Sequence, residues 1–271
     1  MTKLEKEQAG DYDPSQFDRP SVTADVLVFT IIGGRLHLLL ERRSISPFKG
    51  KWALPGGFIR MDESAGEAAE RILFEETGVK SAHMEQLYTF SSVERDPRMR
   101  VLSVAYIAAV PYDRIGFTPG RDVEEVGLFE VAGIEGDGID TGAEGAVEED
   151  CSRFMLVSSE GRTVLKEDIA FDHSMIIRTA VLRLRGKLMY TNIAFRFLDD
   201  PSSFTLTQLR NIYEAILDTK LDIGNFRRMI LREYAEKGKI EELGDGTGGD
   251  GIPAVLTGSV GRPAILYRTS F

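Results

Sequence analysis

The sequence predicts a two-domain α/β protein, a sheet-and-helix sandwich followed by a small helical module that ends in a β-hairpin. Three observations predict it. A strand, a two-glycine turn and a second strand run from Asp25 to Leu40. A glutamate-rich helix from Ser64 to Thr77 follows a Gly- and Pro-containing loop and precedes further strands. Near the C-terminus two helices are separated only by Asp218 to Leu221 and lead into two short strands. The chain has 271 residues, 42% hydrophobic and 28% charged, which suits two cores of ordinary size and excludes a wholly disordered chain.

Residues 1–19 read as an irregular N-terminal arm. Asp25-Val26-Leu27-Val28-Phe29-Thr30-Ile31-Ile32 is β-branched and apolar, Gly33-Gly34 suits a tight turn, and Leu36-His37-Leu38-Leu39-Leu40 returns as a strand. Arg42-Arg43 ends that strand, and Pro47, Gly50, Pro55, Gly56 and Gly57 mark a loop. The helix from Ser64 is closed by Gly78. Strands are expected at Leu87–Phe90 and Val101–Ile107, around the polar turn 94–98, and at Gly127–Val131.

An acidic insertion, about 132–168, comes next and contains a polar hairpin from Phe154 to Lys166. Asp172 is placed to cap a helix running to about Arg185, with Ile176, Ile177, Ala180, Val181 and Leu184 on one face. Thr205-Leu206-Thr207-Gln208 has the form of a capping box and opens a helix through Leu217. Asp222 can cap a second helix, Ile223 to about Tyr234. A strand over Lys239–Leu243, a Gly-rich loop and a strand over Ala264–Arg268 follow. Two close helices and a hairpin form the pattern of a winged helix-turn-helix. The expected division is residues 20–186 for the first domain and 187–271 for the second.

The net charge of -10 belongs to one segment. Residues 121–150 hold 11 acids and one base, which leaves 32 of each elsewhere, so the charge does not argue against a nucleic-acid partner. Cys151 is the only cysteine, which excludes an internal disulfide framework and a cysteine-rich zinc module. His37, His83 and His173 lack metal-cluster spacing, and His173 reads as structural. No apolar run reaches the ~18–20 residues that span a bilayer, and the N-terminus is polar. These features predict a cytoplasmic protein with no membrane partner.

The most specific pattern is Gly57, five residues, Glu63, seven residues, then Arg71-Ile72-Leu73-Phe74-Glu75-Glu76-Thr77-Gly78-Val79, preceded by Trp52-Ala53-Leu54-Pro55-Gly56-Gly57. It resembles the Nudix box, and it departs from the box only at position 72, where the family has glutamate. The resemblance implies a Nudix α/β/α sandwich. It assigns Glu63 and Arg71 to bracing the loop and helix, and Glu75 and Glu76 to metal binding or water activation. Pyrophosphate hydrolysis needs a hard cation held by oxygen ligands. Helical positions 72, 75 and 76 are expected to project toward one place. Ile72 neither ligates a cation nor accepts a proton. The expectation is therefore a site without catalytic residues, with metal at Glu75 and Glu76 weak or absent and no cofactor required beyond magnesium at a weakened site.

Further stretches are similar to one branch, the Nudix-related transcriptional regulators of the NrtR type. They include Pro20–Val26, Pro47–Trp52, Arg95-Asp96-Pro97-Arg98, Ala170-Phe171-Asp172-His173, Leu182–Leu188, Asn225-Phe226-Arg227-Arg228 and Gly261–Ala264. The resemblance implies a homodimer that binds an operator in double-stranded DNA and an ADP-ribose-like nucleotide or sugar-phosphate effector. Arg42, Arg43, Lys51 and Arg98 are the candidate effector cations. On the second helix, Asn225, Arg227 and Arg228 are candidates for base edges. Thr205, Thr207 and Lys220 are candidates for phosphates, and Arg262 for the wing. Phe226, Met229 and Ile230 read as core anchors, and Trp52 as a packing residue. The rival expectation is a Mg²⁺-dependent Nudix hydrolase, an ADP-ribose pyrophosphatase that still uses Glu75 and Glu76.

Overall fold

Strand β1 (Ser21–Ile32) is the axis of the main sheet. In the computed structural model, which describes residues 16–80, 82–117, 120, 122–134, 154–244 and 264–271, it pairs on one side with β6 (Val101–Ala109), in parallel. On the other side β2 (Arg35–Arg43) pairs antiparallel across the glycine turn, where Gly33 and Gly34 both take positive φ. Short β3 (Trp52–Ala53) pairs with β2, and β4 (Gly56–Phe58) with β1. With β5 (His83–Phe90), β7 (Val123–Ile134), β8 (Phe154–Ser158) and β9 (Thr163–Leu165), the order is β5-β6-β1-β2-β7-β8-β9.

The alternation of a strand sorts β1 between two layers. Ala24, Val26 and Val28 pack with Ala68, Ala69, Ile72 and Leu73 of helix α1 (Ala65–Thr77). Leu27 and Phe29 face the opposite layer, where Ile176, Ile177, Ala180 and Val181 of helix α2 (His173–Lys187) cover the sheet. Apolar residues on both faces explain why β1 reads as a continuous hydrophobic run.

The second core layer continues into the C-terminal unit. Helix α3 (Leu206–Leu217) contributes Leu209, Ile212, Tyr213 and Ile216 to the same cluster, and helix α4 (Ile223–Ile230) adds Phe226 and Ile230. A three-stranded sheet completes the unit, β10 (Phe204–Thr205), β12 (Leu266–Thr269) and β11 (Ile240–Gly244), in the order β10-β12-β11. Two helices backed by this small sheet form the winged helix-turn-helix.

Several details differ from the sequence reading. Strand β7 is longer than Gly127–Val131, because its N-terminal end pairs with β2 and its C-terminal end with β8. Strands β8 and β9 extend the main sheet, so the C-terminal part of the expected insertion is sheet, while residues 135–153 lie outside the described residues. Residues 1–15 of the arm, Cys151, most of the Gly-rich loop and Arg262 also lie outside them. Strands β3 and β4 fall where the glycines and Pro55 predict loop, and their pairing with β2 and β1 makes them strand. Asp172 sits at the start of α2 but makes no side-chain cap; its carboxylate is taken by Arg95. Helix α4 ends at Ile230 and continues as a wider turn through Ala235.

Candidate functional site: a nucleotide cleft and a recognition helix

Helix α1 is built locally. The Ser64 hydroxyl accepts from the Glu67 amide at 3.3 Å, and the Glu67 carboxylate accepts from the Ser64 amide at 2.7 Å. Gly78, at φ 68°, closes the helix through its amide to the Phe74 carbonyl at 2.8 Å. Arg71 grips Glu63 with two contacts, 2.7 and 3.0 Å, and reaches Glu75 at 3.1 Å. The Arg71 guanidinium pulls the Glu63 carboxyl down to about 2. Glu63 and Arg71 thus brace the loop before α1. Glu67 is engaged in the cap with Ser64.

Positions 72, 75 and 76 do not converge. Ile72 is buried in the core, with Cδ1 beneath Gly57. Glu75 turns outward and is held by Arg71 and, at 3.8 Å, by Arg60. Glu76 alone reaches the cleft, where it meets Glu41 of β2. Burial pushes the Glu41 carboxyl up to about 9, aided by the hydrogen bond to Glu76 and by its charge.

This donor set does not fit a catalytic magnesium ion. The Nudix family generally uses a divalent metal. Here one box position is aliphatic and sealed into the core, and a second is drawn away by two arginines. Among the described residues no group of three or more His, Cys, Asp or Glu side chains is arranged to hold a metal.

The cleft has a volume of about 320 Å³ and lies between β1, β2, the end of α1 and the start of α2. Its apolar wall is Phe171, held in the left-handed region at φ 54° and packed edge-on against Phe48 at 4.8 Å. Arg43 lies 5.0 Å from the centre of the Phe171 ring and Arg98 lies 5.7 Å from it. Burial, and then the nearby Arg98 charge, lower the Arg43 pKa. Arg98 is oriented by two contacts to Asp96, at 2.7 and 3.0 Å. Two guanidinium groups thus lie beside an aromatic ring, in a cleft whose lining also holds Arg95 and the acids Asp25, Glu41, Glu76, Asp96 and Asp122.

Behind them is a buried polar network. Arg95 donates to both oxygens of Asp172, at 2.9 and 2.7 Å, and lies 3.7 Å from Asp25. Asp25 accepts from the Ser103 hydroxyl. Gly56 is required beside it, because a Cβ there would sit 2.2 Å from an Asp25 carboxylate oxygen. His173 is structural: its Nδ1 accepts from the Leu54 amide at 2.9 Å, which places the ring proton on Nε2, facing Asp25 at 3.9 Å. Burial lowers its pKa and keeps the ring neutral.

Of the four effector cations read from the sequence, Arg43 and Arg98 line the cleft. Arg42 turns the other way, to the Gly50 carbonyl at 3.1 Å and to Glu125 at 3.5 Å. Lys51 sits over the Phe48 ring at 5.7 Å rather than in the cleft lining. Trp52 is buried against Phe129, as a packing residue. The sequence reading missed Asp25, Glu41, Arg95, Phe171 and Asp172. Asp25 and Glu41 were visible as acids in apolar strands, where a buried charge must find a partner.

In the C-terminal unit, the Asp222 carboxylate caps α4 through the Asn225 amide at 2.8 Å. Phe226 and Ile230 are buried, Phe226 against Tyr213 at 5.2 Å. This turns Gly224, Asn225, Arg227 and Arg228 to solvent on the outer face, with Arg228 donating to the Asn225 side chain. Glu214 organises the turn between the helices: it accepts from Lys220 at 2.8 Å and from the Leu221 amide at 3.1 Å. Thr205 is buried, and its hydroxyl accepts from the Gln208 amide at 3.1 Å, so the cap occupies the group assigned to a DNA phosphate. Thr207 is exposed.

A Nudix fold joined to a winged helix defines a class of ligand-sensing DNA-binding proteins, and comparison with known proteins places the chain within it. A NUDIX domain profile matches residues 22–144, and a profile for the NrtR DNA-binding winged helix domain matches residues 194–269. An ADPR responsive transcriptional repressor, NtrR, of Acinetobacter baylyi is 31% identical over 259 residues, 95% of this chain and 85% of that protein. The crystal structure of Shewanella oneidensis NrtR complexed with a 27mer DNA superposes with a TM-score of 0.64 at 27% identity, covering 92% of this chain and 93% of that one. An ADP-ribose pyrophosphatase of Methanocaldococcus jannaschii is 40% identical over 108 residues, 39% of this chain and 62% of that protein. The chain belongs to the NrtR family of Nudix-related transcriptional regulators. Among the described residues no helix is long and apolar enough to cross a membrane.

Proposed function

We propose that the chain is a DNA-binding repressor that senses ADP-ribose, holding it as an intact ligand in the Nudix cleft. The observation that carries this reading is the pairing of two cleft arginines with an inert box. Arg43 and Arg98 lie close enough for their charges to oppose each other, so a diphosphate between them relieves repulsion and gains charge-assisted hydrogen bonds. Phe171 offers an apolar face to a base or sugar. With Ile72 in the core and Glu75 turned away, binding proceeds without a metal requirement and without cleavage.

The DNA-binding half uses the outer face of α4. Its first turns present Asn225, Arg227 and Arg228 to base edges in the major groove, with arginine bridging O6 and N7 of guanine. Thr207 and Lys220 contact phosphates. Residues 187–271 hold 11 acids and 11 bases, so a homodimer that gathers its bases on one face supplies the field for operator binding. The sensing unit spans residues 20–186, the DNA-binding unit 187–271, and the protein acts in the cytoplasm.

The test is calorimetric titration with ADP-ribose in chelator and in magnesium, followed by chromatography of the recovered ligand. The expected result is saturable binding in both buffers with ADP-ribose recovered intact. Binding only with magnesium, or recovery of AMP, supports the pyrophosphatase rival.

A further inference from the structure

The segment Leu182–Leu188 has no role in the proposed function, yet Arg185, the second of its two arginines, joins the two halves of the molecule. Arg185, in the last turn of α2, donates from Nη1 to the Ile134 carbonyl of β7 at 2.6 Å. Its Nε donates to the Ile216 carbonyl at 2.9 Å. Ile134 ends a strand of the sensor sheet; Ile216 lies in the last turn of α3, just ahead of the turn to the recognition helix. One planar guanidinium thus holds a sensor carbonyl and a helix-turn-helix carbonyl in fixed relation.

The other end of the same helix enters the cleft. His173, its first residue, and Phe171, just before it, line the cleft, and Asp172 between them holds Arg95. From His173 to Arg185 is about 18 Å of continuous helix at 1.5 Å per residue. Ile176, Ile177, Ala180, Val181 and Leu184 are buried along it, so the helix is packed along its whole length. Just past its end the Leu188 carbonyl accepts from the Tyr213 hydroxyl of α3 at 3.1 Å.

We propose that α2 is the rod that carries effector occupancy to DNA, and that Arg185 is its positioning residue. A ligand seated on Phe171 between Arg43 and Arg98 displaces the start of α2. Arg185 transmits that displacement to the last turn of α3 and so resets the pose of α4. This rests on the ADP-ribose reading above. A second tie between the halves, Arg35 in the β1–β2 turn to Asp218 at 2.9 Å, is exposed and does not run through α2. It serves as the control for simple adhesion between the halves.

The experiment measures the DNA dissociation constant of the full chain with and without saturating ADP-ribose, at fixed salt. It uses a labelled duplex from the region upstream of the chain's own gene, and compares the wild type with Arg185→Lys, Arg185→Met and Arg35→Ala. Lysine keeps the charge and one contact but not the fork. The expected result is an affinity ratio reduced at least fivefold in Arg185→Met and partly restored in Arg185→Lys. ADP-ribose affinity stays within about twofold in both, and Arg35→Ala keeps the wild-type ratio. If Arg185→Met does not fold, Arg185→Lys decides alone, with its ratio expected below that of the wild type. A wild-type chain that responds, with both Arg185 variants responding equally, overturns the proposal and leaves the functional reading standing. An equal loss in Arg35→Ala also overturns it, because adhesion alone then explains the effect. A wild-type chain that shows no response removes the functional reading, and the proposal with it.

Discussion

Ile72 and Glu76 lie one helical turn apart on α1, yet Ile72 is sealed beneath Gly57 while Glu76 reaches the cleft and meets Glu41. The box helix therefore keeps its shape and its bracing without assembling a cluster of carboxylates. Ile72→Glu is expected to lose stability rather than gain hydrolysis. An unpaired carboxylate there replaces a well-packed side chain at a cost of roughly 2–4 kcal/mol. Thermal denaturation and AMP release from ADP-ribose with magnesium check this; brisk turnover by the variant contradicts it.

The cleft arginines are expected to separate cleanly from their sequence neighbours. Arg43→Ala and Arg98→Ala each remove a charge-assisted contact worth about 1.5–3 kcal/mol, so ADP-ribose binding weakens tenfold or more. Arg42→Ala and Lys51→Ala leave it within about threefold, because those side chains point elsewhere. Titration calorimetry on the four variants is the measurement.

How far the sequence discloses this site depends on the range of each signal. Helix α3 was legible because its capping box is local, and Gly78 marked the end of α1. The cleft is not local. It needs the parallel pairing of β1 with β6, which sets Ser21 against Val101, and the return of the chain at Phe171. Arg42 and Arg43 looked equivalent, yet neighbours on a strand face opposite sides, and only one enters the cleft. Asp172 looked like a cap because it precedes a helix; Arg95, distant in sequence, claims it instead.

Thr205 and Thr207 are expected to behave differently despite their spacing. Thr205→Ala removes the cap of α3 and lowers stability by about 1 kcal/mol. Thr207→Ala leaves stability unchanged and weakens binding to all duplexes alike. Arg227→Ala is expected to relax specificity by about 1–3 kcal/mol at one base position. Melting curves and binding to a panel of singly substituted duplexes separate the three.

His173 gives a pH dependence of stability. Burial holds its pKa below the ordinary 6.5, against the opposing pull of Asp25 and Asp172; Arg95 and Arg43 act with burial. The unfolded chain takes up a proton as pH falls below about 6.5 and the folded chain does not. Its contribution is therefore fully present above that pH and is lost as pH falls toward the folded pKa. Denaturant melts from pH 8 to pH 5 are expected to show a loss that is smaller in His173→Gln. An equal loss in that variant assigns the dependence to other groups.

One cleft, unable to cleave its ligand, is expected to control a DNA-binding face elsewhere in the chain. Fluorescence anisotropy with duplex DNA at constant salt, with and without saturating ADP-ribose, is the decisive measurement. The expected change in DNA affinity is about 5–150-fold, the usual range of coupling between two sites. An unchanged dissociation constant, with ADP-ribose shown to be bound, contradicts it.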